Sequence, residues 1–183
     1  MTTIPAGDDL RTALLACLAV PRWADEVTAR APFASAADLI EAARAAATPL
    51  PRSEIDQAMA EHPRIGEKPH GSSQAAGFSR AEQAAVDADD ADLAAAIADG
   101  NRAYEERFDR VFLIRAAGRS RREILAELRR RLSLDETTEA AIVGSELRDI
   151  ALLRLGVLAR HWQDDSVQET EATDSTAPRD TRP

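Results

Sequence analysis

The sequence predicts an all-α fold, a single-domain helical bundle of about seven to eight helices with a disordered C-terminal tail. Three observations carry that expectation. Alanine, leucine, arginine and glutamate dominate, and aromatic residues make up only 4% of the chain. That is a helix former's composition, poor in the side chains that strands favour. Apolar residues recur at helical spacing through most of the chain, and prolines and Ser/acid pairs fall between those stretches, where helix starts belong.

The elements follow in order. Asp8 or Asp9 is the expected cap of a first helix through Leu18, with Leu10, Leu14, Cys17 and Leu18 on its apolar face. Pro21 suits the first turn of a second helix that ends near Arg30. Later starts share serine with an acid three residues on: Ser35/Asp38, Ser53/Asp56, Ser79/Glu82, Ser120/Glu123 and Ser133/Glu136. The Ser/Glu pairs fit a capping box and the Ser/Asp pairs a weaker relative of it. In the long central helix Leu93, Ile97, Asn101, Tyr104 and Phe108 form one stripe. The run Val111-Phe112-Leu113-Ile114 that follows reads as a short strand or a buried extended stretch without a partner strand. A final helix carries Val143, Leu147, Ile150, Val157 and Leu158 in one arc and ends near His161. From Asp164 onward six acids face Arg179 and Arg182, with Val167 the one large apolar side chain. Such a segment buries too little to offset its ordering entropy. The domain is therefore expected over 1–163 and an acidic disordered tail over 164–183.

Charge and cysteine usage narrow the function classes. The chain has 23 basic and 32 acidic residues, a net charge of −9, and so repels polyphosphate. The arginine runs Arg119 to Arg122 and Arg129 to Arg131 read as solvated helix faces rather than a nucleic-acid patch. No apolar stretch approaches the roughly 18 residues of a membrane span. Met1 to Asp9 lacks the pattern of a signal peptide. Cys17 is the one cysteine, so no intramolecular disulfide forms, and a reducing cytoplasm is the expected location.

Three places carry candidate chemistry. His62 precedes Pro63, and proline disfavours the α conformation before it, so the imidazole stands where a helix breaks into the loop from His62 to Phe78. It either completes the last helical carbonyls or projects a titratable group into a pocket. Glu82 caps the helix opened by Ser79, or, with Ser79 and Gln83, it lines a polar pocket at a helix N-terminus. Arg154 falls near the centre of the final helix's apolar arc, where a guanidinium is costly unless paired. It is either an internal partner of Glu146 or another acid, or a bidentate clamp for a carboxylate. Asn101 on its apolar stripe suggests a structural hydrogen bond. No histidine, cysteine or acid spacing fits a metal site, and no glycine-rich phosphate loop follows a strand. Neither a metal nor an organic cofactor is expected. What remains is acid–base chemistry by histidine with polar and cationic support.

Taken in order, these residues resemble the 2-oxo-4-hydroxy-4-carboxy-5-ureidoimidazoline (OHCU) decarboxylases of the urate-to-allantoin pathway. Trp23 and Ala31-Pro32-Phe33 look like the family's tryptophan and Arg-Pro-Phe. His62-Pro63-Arg64-Ile65-Gly66 is similar to its bacterial His-Pro-Arg-Ile-Gly, and Ser79, Glu82 and Gln83 to its Ser-x-x-Glu-Gln. Asn101, Tyr104 and Phe108 are similar to its Asn-x-x-Tyr-x-x-x-Phe, and Leu153-Arg154-Leu155 to its Leu-Arg-Leu. The resemblance implies that His62 is the catalytic acid/base and that Pro63 lines the substrate site. It implies that Ser79, Arg80, Ala81, Glu82 and Gln83 bind the substrate, with Glu82 also counted as catalytic. Phe112, Leu113, Ile114, Arg115 and Ala116 would supply backbone contacts, and Arg154 would meet the substrate's polar groups. One departure stands out: the family usually has glycine where this chain has Asp109, and Arg110, Val111 and Arg115 replace commoner apolar or small residues.

The expected partner is therefore a small anionic substrate, with neither nucleic acid nor membrane involved, and the resemblance is compatible with a homodimer. Two other readings remain open on the residues: a non-catalytic helical interaction protein, and a related enzyme acting on another small ureido or imidazoline acid.

Overall fold

The computed structural model describes residues 4–60 and 91–174, with side chains described as far as Trp162. Among them are seven helices and no strand: α1 (Gly7–Cys17), α2 (Pro21–Thr28), α3 (Ala36–Ala46), α4 (Arg52–Met59), α5 (Ala91–Phe108), α6 (Arg121–Arg131) and α7 (Glu136–Asp174). The all-helical class agrees with the composition and periodicity. The helix expected after Ser79 lies outside the described residues.

Several starts obey the capping signals. Pro21 occupies the first turn of α2. The Ser35 hydroxyl accepts from the Asp38 amide at 3.1 Å. Ser120 and Glu123 form a reciprocal capping box, with the Ser120 amide donating to Glu123 at 2.7 Å. Those bonds from Ser120 hold the Glu123 carboxyl below its ordinary pKa.

Others depart from expectation for identifiable reasons. α1 starts at Gly7 after Ala6 rather than with a cap from Asp8 or Asp9, which fall in its first turn. There they still favour the helix dipole. α4 opens after Pro51 with no side-chain cap, and Asp56 pairs with Arg52 one turn back, at 3.0 Å, instead of with Ser53. α7 is capped by Asp135, whose carboxylate accepts from the Thr138 amide at 2.9 Å. Ser133 instead closes α6 by donating to the Arg130 carbonyl at 2.7 Å. α7 does not end at His161, which is exposed, but runs on to Asp174 and so into the acidic segment.

The helices bury two apolar clusters. The first draws on α1 to α4 and one face of α7, with Leu10, Leu14, Trp23, Val27, Leu39, Ile55, Val143, Leu147 and Leu155 among its members. In it α1 packs on α2 and α7, α2 on α3, and α3 and α4 on α7. The Trp23 indole, fully buried, donates to the Ala43 carbonyl at 2.9 Å, so its one polar atom is satisfied. The second cluster lies between α5 and α6 and holds Ile97, Tyr104, Phe108, Ile124, Leu125 and Leu128.

Between the clusters runs the stretch 111–116, neither helix nor strand. Phe112, Ile114 and Ala116 pack into the second cluster, while Val111 and Leu113 pack into the first. That alternation is the period of an extended chain. Asp109 and Gly118 flank it, with φ of 52° and 79° respectively. Both lie in the left-handed region, where the chain turns out of α5 and then toward α6.

Candidate active site

An extended stretch with no partner strand among the described residues must find other partners for its backbone. Arg131 and Glu146 supply two. The Arg131 guanidinium donates through Nη1 to the Leu113 carbonyl at 2.7 Å. The Glu146 carboxylate accepts from the Arg115 amide at 2.7 Å. Its other oxygen lies 3.7 Å from the Arg119 guanidinium. Phe112, Leu113, Ile114 and Ala116 are buried and Arg115 is half-buried.

Arg131 overturns the reading of the Arg129–Arg131 run as a solvated face. Arg129 and Arg130 are exposed, but Arg131 and its partner Glu139 are both 0% exposed. Arg131 Nε reaches both Glu139 oxygens, at 2.9 and 3.0 Å, and Nη2 also pairs with that carboxylate. The Tyr104 hydroxyl donates to Glu139 as well. Burial pushes the Tyr104 phenol well above its ordinary pKa, and its bond to Glu139 acts in the same direction. The guanidinium carbon sits 4.8 Å from the centre of the Phe112 ring, a cation–π distance. One buried ion pair thus holds Tyr104, Phe112 and the Leu113 carbonyl in a single arrangement.

A second ionic tie fixes the start of the stretch. Glu136 accepts from Arg52 and from Arg110, linking α4, the residue pair after α5 and the first turn of α7. Burial would raise the Glu136 pKa, but the bonds from the two arginines outweigh it and hold the carboxyl below its ordinary range. Asp109, where glycine was the expected residue, keeps the left-handed conformation with its amide bonded to the Glu105 carbonyl at 2.9 Å. Aspartate tolerates that region better than most side chains, so the turn survives the departure.

Arg154 is buried, at 4% exposure, as its place in the apolar arc predicted. It is not the partner of Glu146, which is engaged with Arg115 and Arg119. Its Nη1 donates to the Cys17 carbonyl at 3.3 Å, at the C-terminal end of α1. That carbonyl is one of the acceptors a helix end leaves without an intrahelical donor. Cys17 and Leu113 belong to the same cluster.

His62, Pro63, Ser79, Arg80, Ala81, Glu82 and Gln83 lie outside the described residues. The structure therefore brings together Phe112 to Ala116 with the network behind them, and places Arg154 on the same helix as Glu139 and Glu146. Asn101 is buried on its stripe beside Tyr104 and Ile97. Sequence reasoning missed Arg131 and Glu139. The signal was present: Ile124, Leu128 and Arg131 share one face of α6, as Glu139, Val143 and Ile150 share one face of α7. Among the described residues no group of histidine, cysteine and acids is placed to hold a metal ion, and no helix is long and apolar enough to cross a membrane.

Comparison with known proteins bears on the whole arrangement. A crystal structure of OHCU decarboxylase in the presence of (S)-allantoin is similar, with a TM-score of 0.68 and 23% sequence identity over 84% of this chain and 99% of that one. At that identity the likeness speaks for the fold. No curated protein matches in sequence. The sequence model of the OHCU decarboxylase family matches residues 6–156, which takes in every helix from α1 to α6, the extended stretch and Arg154. The chain belongs to the OHCU decarboxylase family.

Proposed function

We propose that the chain converts 2-oxo-4-hydroxy-4-carboxy-5-ureidoimidazoline to (S)-allantoin and CO2, with His62 as the acid/base and without a metal or organic cofactor. The observation that carries this reading is Arg154, a guanidinium buried at 4% exposure that donates to the Cys17 carbonyl, in a chain of this family. A cation held there, at a fixed orientation, suits an anionic ligand better than a solvent-exposed one would. The family match and the likeness to an OHCU decarboxylase structure solved with (S)-allantoin add to it.

The chemistry needs little beyond such groups. The bond between the ring carbon and the carboxylate breaks, CO2 leaves, and the electron pair moves into the neighbouring carbon–nitrogen double bond. The ring is its own electron sink, which is why the proposal includes no cofactor. A proton delivered to one face of the electron-rich intermediate then sets the hand of the product. His62, with a pKa near neutrality in the ordinary case, is assigned that proton. Arg154 is assigned to the substrate's polar groups, and Glu82 is assigned to the chemistry beside His62. Pro63, Ser79 to Gln83 and the backbone of Phe112 to Ala116 are assigned to binding. The enzyme is taken to work in the cytoplasm on a small anion, and a homodimer is compatible with the reading.

The test uses freshly generated OHCU and the purified chain, with chiral analysis of the product. The wild type is expected to accelerate CO2 loss and give the S form. His62→Asn keeps a polar side chain but cannot shuttle a proton near pH 7, and should lose on the order of 10²–10⁴-fold in rate. Racemic product at the uncatalysed rate from the wild type would end the decarboxylase reading. Turnover of a different ureido acid in preference to OHCU would move the substrate and keep the class.

A further inference from the structure

Among the described residues, the two bonds that side chains make to the backbone of the 111–116 stretch fall on one side of it. In an extended chain the N–H and C=O of a residue point to the same edge, and alternate residues share an edge. The Leu113 carbonyl and the Arg115 amide are two residues apart and therefore lie on one edge, taken by Arg131 and Glu146. The backbone groups of Phe112, Ile114 and Ala116 turn to the other, where the Ala116 carbonyl accepts from the Arg119 amide at 3.0 Å. Side-chain groups from α6 and α7 thus stand where a neighbouring strand would be.

We propose that Glu146 is a positioning residue that, through its hydrogen bond to the Arg115 amide, holds the opposite edge of the 112–116 stretch in register for the substrate. This rests on the proposed function, in which the substrate meets that backbone. Glu146 is suited to the part and Arg131 less open to test. Arg131 has no solvent exposure and its loss leaves Glu139 buried alone, whereas the Glu146 side chain is 14% exposed at the edge of the core. Glu146 also sits on the α7 arc that carries Arg154, so the helix that holds the proposed carboxylate clamp also sets the register of the stretch. Without the tether, the stretch would have to be ordered by the substrate on binding, and the cost would appear in KM.

The experiment compares Glu146→Ala and Glu146→Gln with the wild type, because glutamine keeps an acceptor oxygen and drops the charge. Three quantities are read: amide hydrogen exchange at Arg115 by NMR, KM and kcat with OHCU, and the thermal melting curve. In Glu146→Ala, exchange at Arg115 should speed up and KM should rise by about tenfold, the worth of one net hydrogen bond, with kcat changed less than KM. Glu146→Gln should restore most of both, and both variants should still melt cooperatively. An unchanged KM in Glu146→Ala despite faster exchange overturns the proposal. So does a Glu146→Gln variant as impaired as Glu146→Ala, since that assigns the effect to the charge facing Arg119. A wild type inactive on OHCU whose Arg115 amide still depends on Glu146 defeats the proposed function, and leaves the tether as architecture with no substrate to position.

Discussion

The two clusters satisfy their interiors in different ways. The first, built from α1 to α4 and α7, is filled among the described residues almost wholly by aliphatic side chains and Trp23, and the buried Arg154 donates to a backbone carbonyl at the end of α1. The second, between α5 and α6, is smaller and closes around a fully buried ion pair, Arg131 with Glu139, that also holds Tyr104 and the Leu113 carbonyl. Burial of aliphatic surface is non-directional, so the first cluster can shift a little and lose little. A buried charge pair is directional and intolerant: it contributes little net stability, yet removing one member leaves the other stranded. The difference places rigidity where the extended stretch needs it and leaves plain packing elsewhere.

The sharpest way to break the comparison is Glu139→Ala. It strands Arg131 at zero exposure and should cost about 3–5 kcal/mol, measured by urea denaturation. Replacing both partners, Arg131→Met with Glu139→Leu, should recover most of that stability. The double variant should still raise KM for OHCU, because the Leu113 carbonyl has lost its donor. If the double variant is as unstable as the single, the pair is a main source of stability and the contrast between clusters fails.

Glycines give a smaller contrast. A Cβ at Gly100 would stand 2.5 Å from Leu128 Cδ2 in the second cluster, while one at Gly144 would stand 3.1 Å from Ile55 Cδ1 in the first. Leu128 is fully buried and has little room to yield. Gly100→Ala should therefore cost about 1–3 kcal/mol through overpacking, and Gly144→Ala should cost less. Equal melting temperatures for the two would show that the second cluster is as pliable as the first. The smallest effect is expected at the turn that follows α5. Asp109→Gly relieves a left-handed backbone at φ 52° and should stabilise the chain by about 0.5–1 kcal/mol, read as a rise of a few degrees in Tm.

Legibility in the sequence followed the same division. The first cluster was readable from periodicity, because Leu10, Leu14 and Cys17 on α1, and Val143, Leu147 and Ile150 on α7, sit on single apolar faces. Arg154 was readable as a charge out of place on such a face. Its bond to the Cys17 carbonyl was not, since that acceptor lies 137 positions earlier in the chain and carries no side-chain signal. Arg131 was hidden by its neighbours: in a run of three arginines, two solvated residues disguise the third. Glu139 was hidden by its nearness to a helix N-terminus, where an acid already has a reason to be. Asp135 displaced Ser133 as the cap of α7 because both precede the helix and sequence alone does not rank them. His62, Pro63 and the Ser79 to Gln83 residues were singled out by sequence and lie outside the described residues, so their placement rests on the resemblance.

The position of α7 in the chain has a consequence for synthesis. The first cluster lacks its inner wall until Val143 to Leu158 have been made, and Arg131 has no carboxylate until Glu139 follows it. Helices α1 to α6 therefore leave the ribosome with an open apolar face and an unmatched cation, held together by contacts of short sequence range. The arrival of α7 gives the first cluster its inner wall and the second cluster the carboxylate of its ion pair. A nascent chain stalled before Glu136 can close the apolar part of the second cluster but not the first, and the exposed leucines of α1 to α4 are the surface on which a chaperone or an aggregate would act.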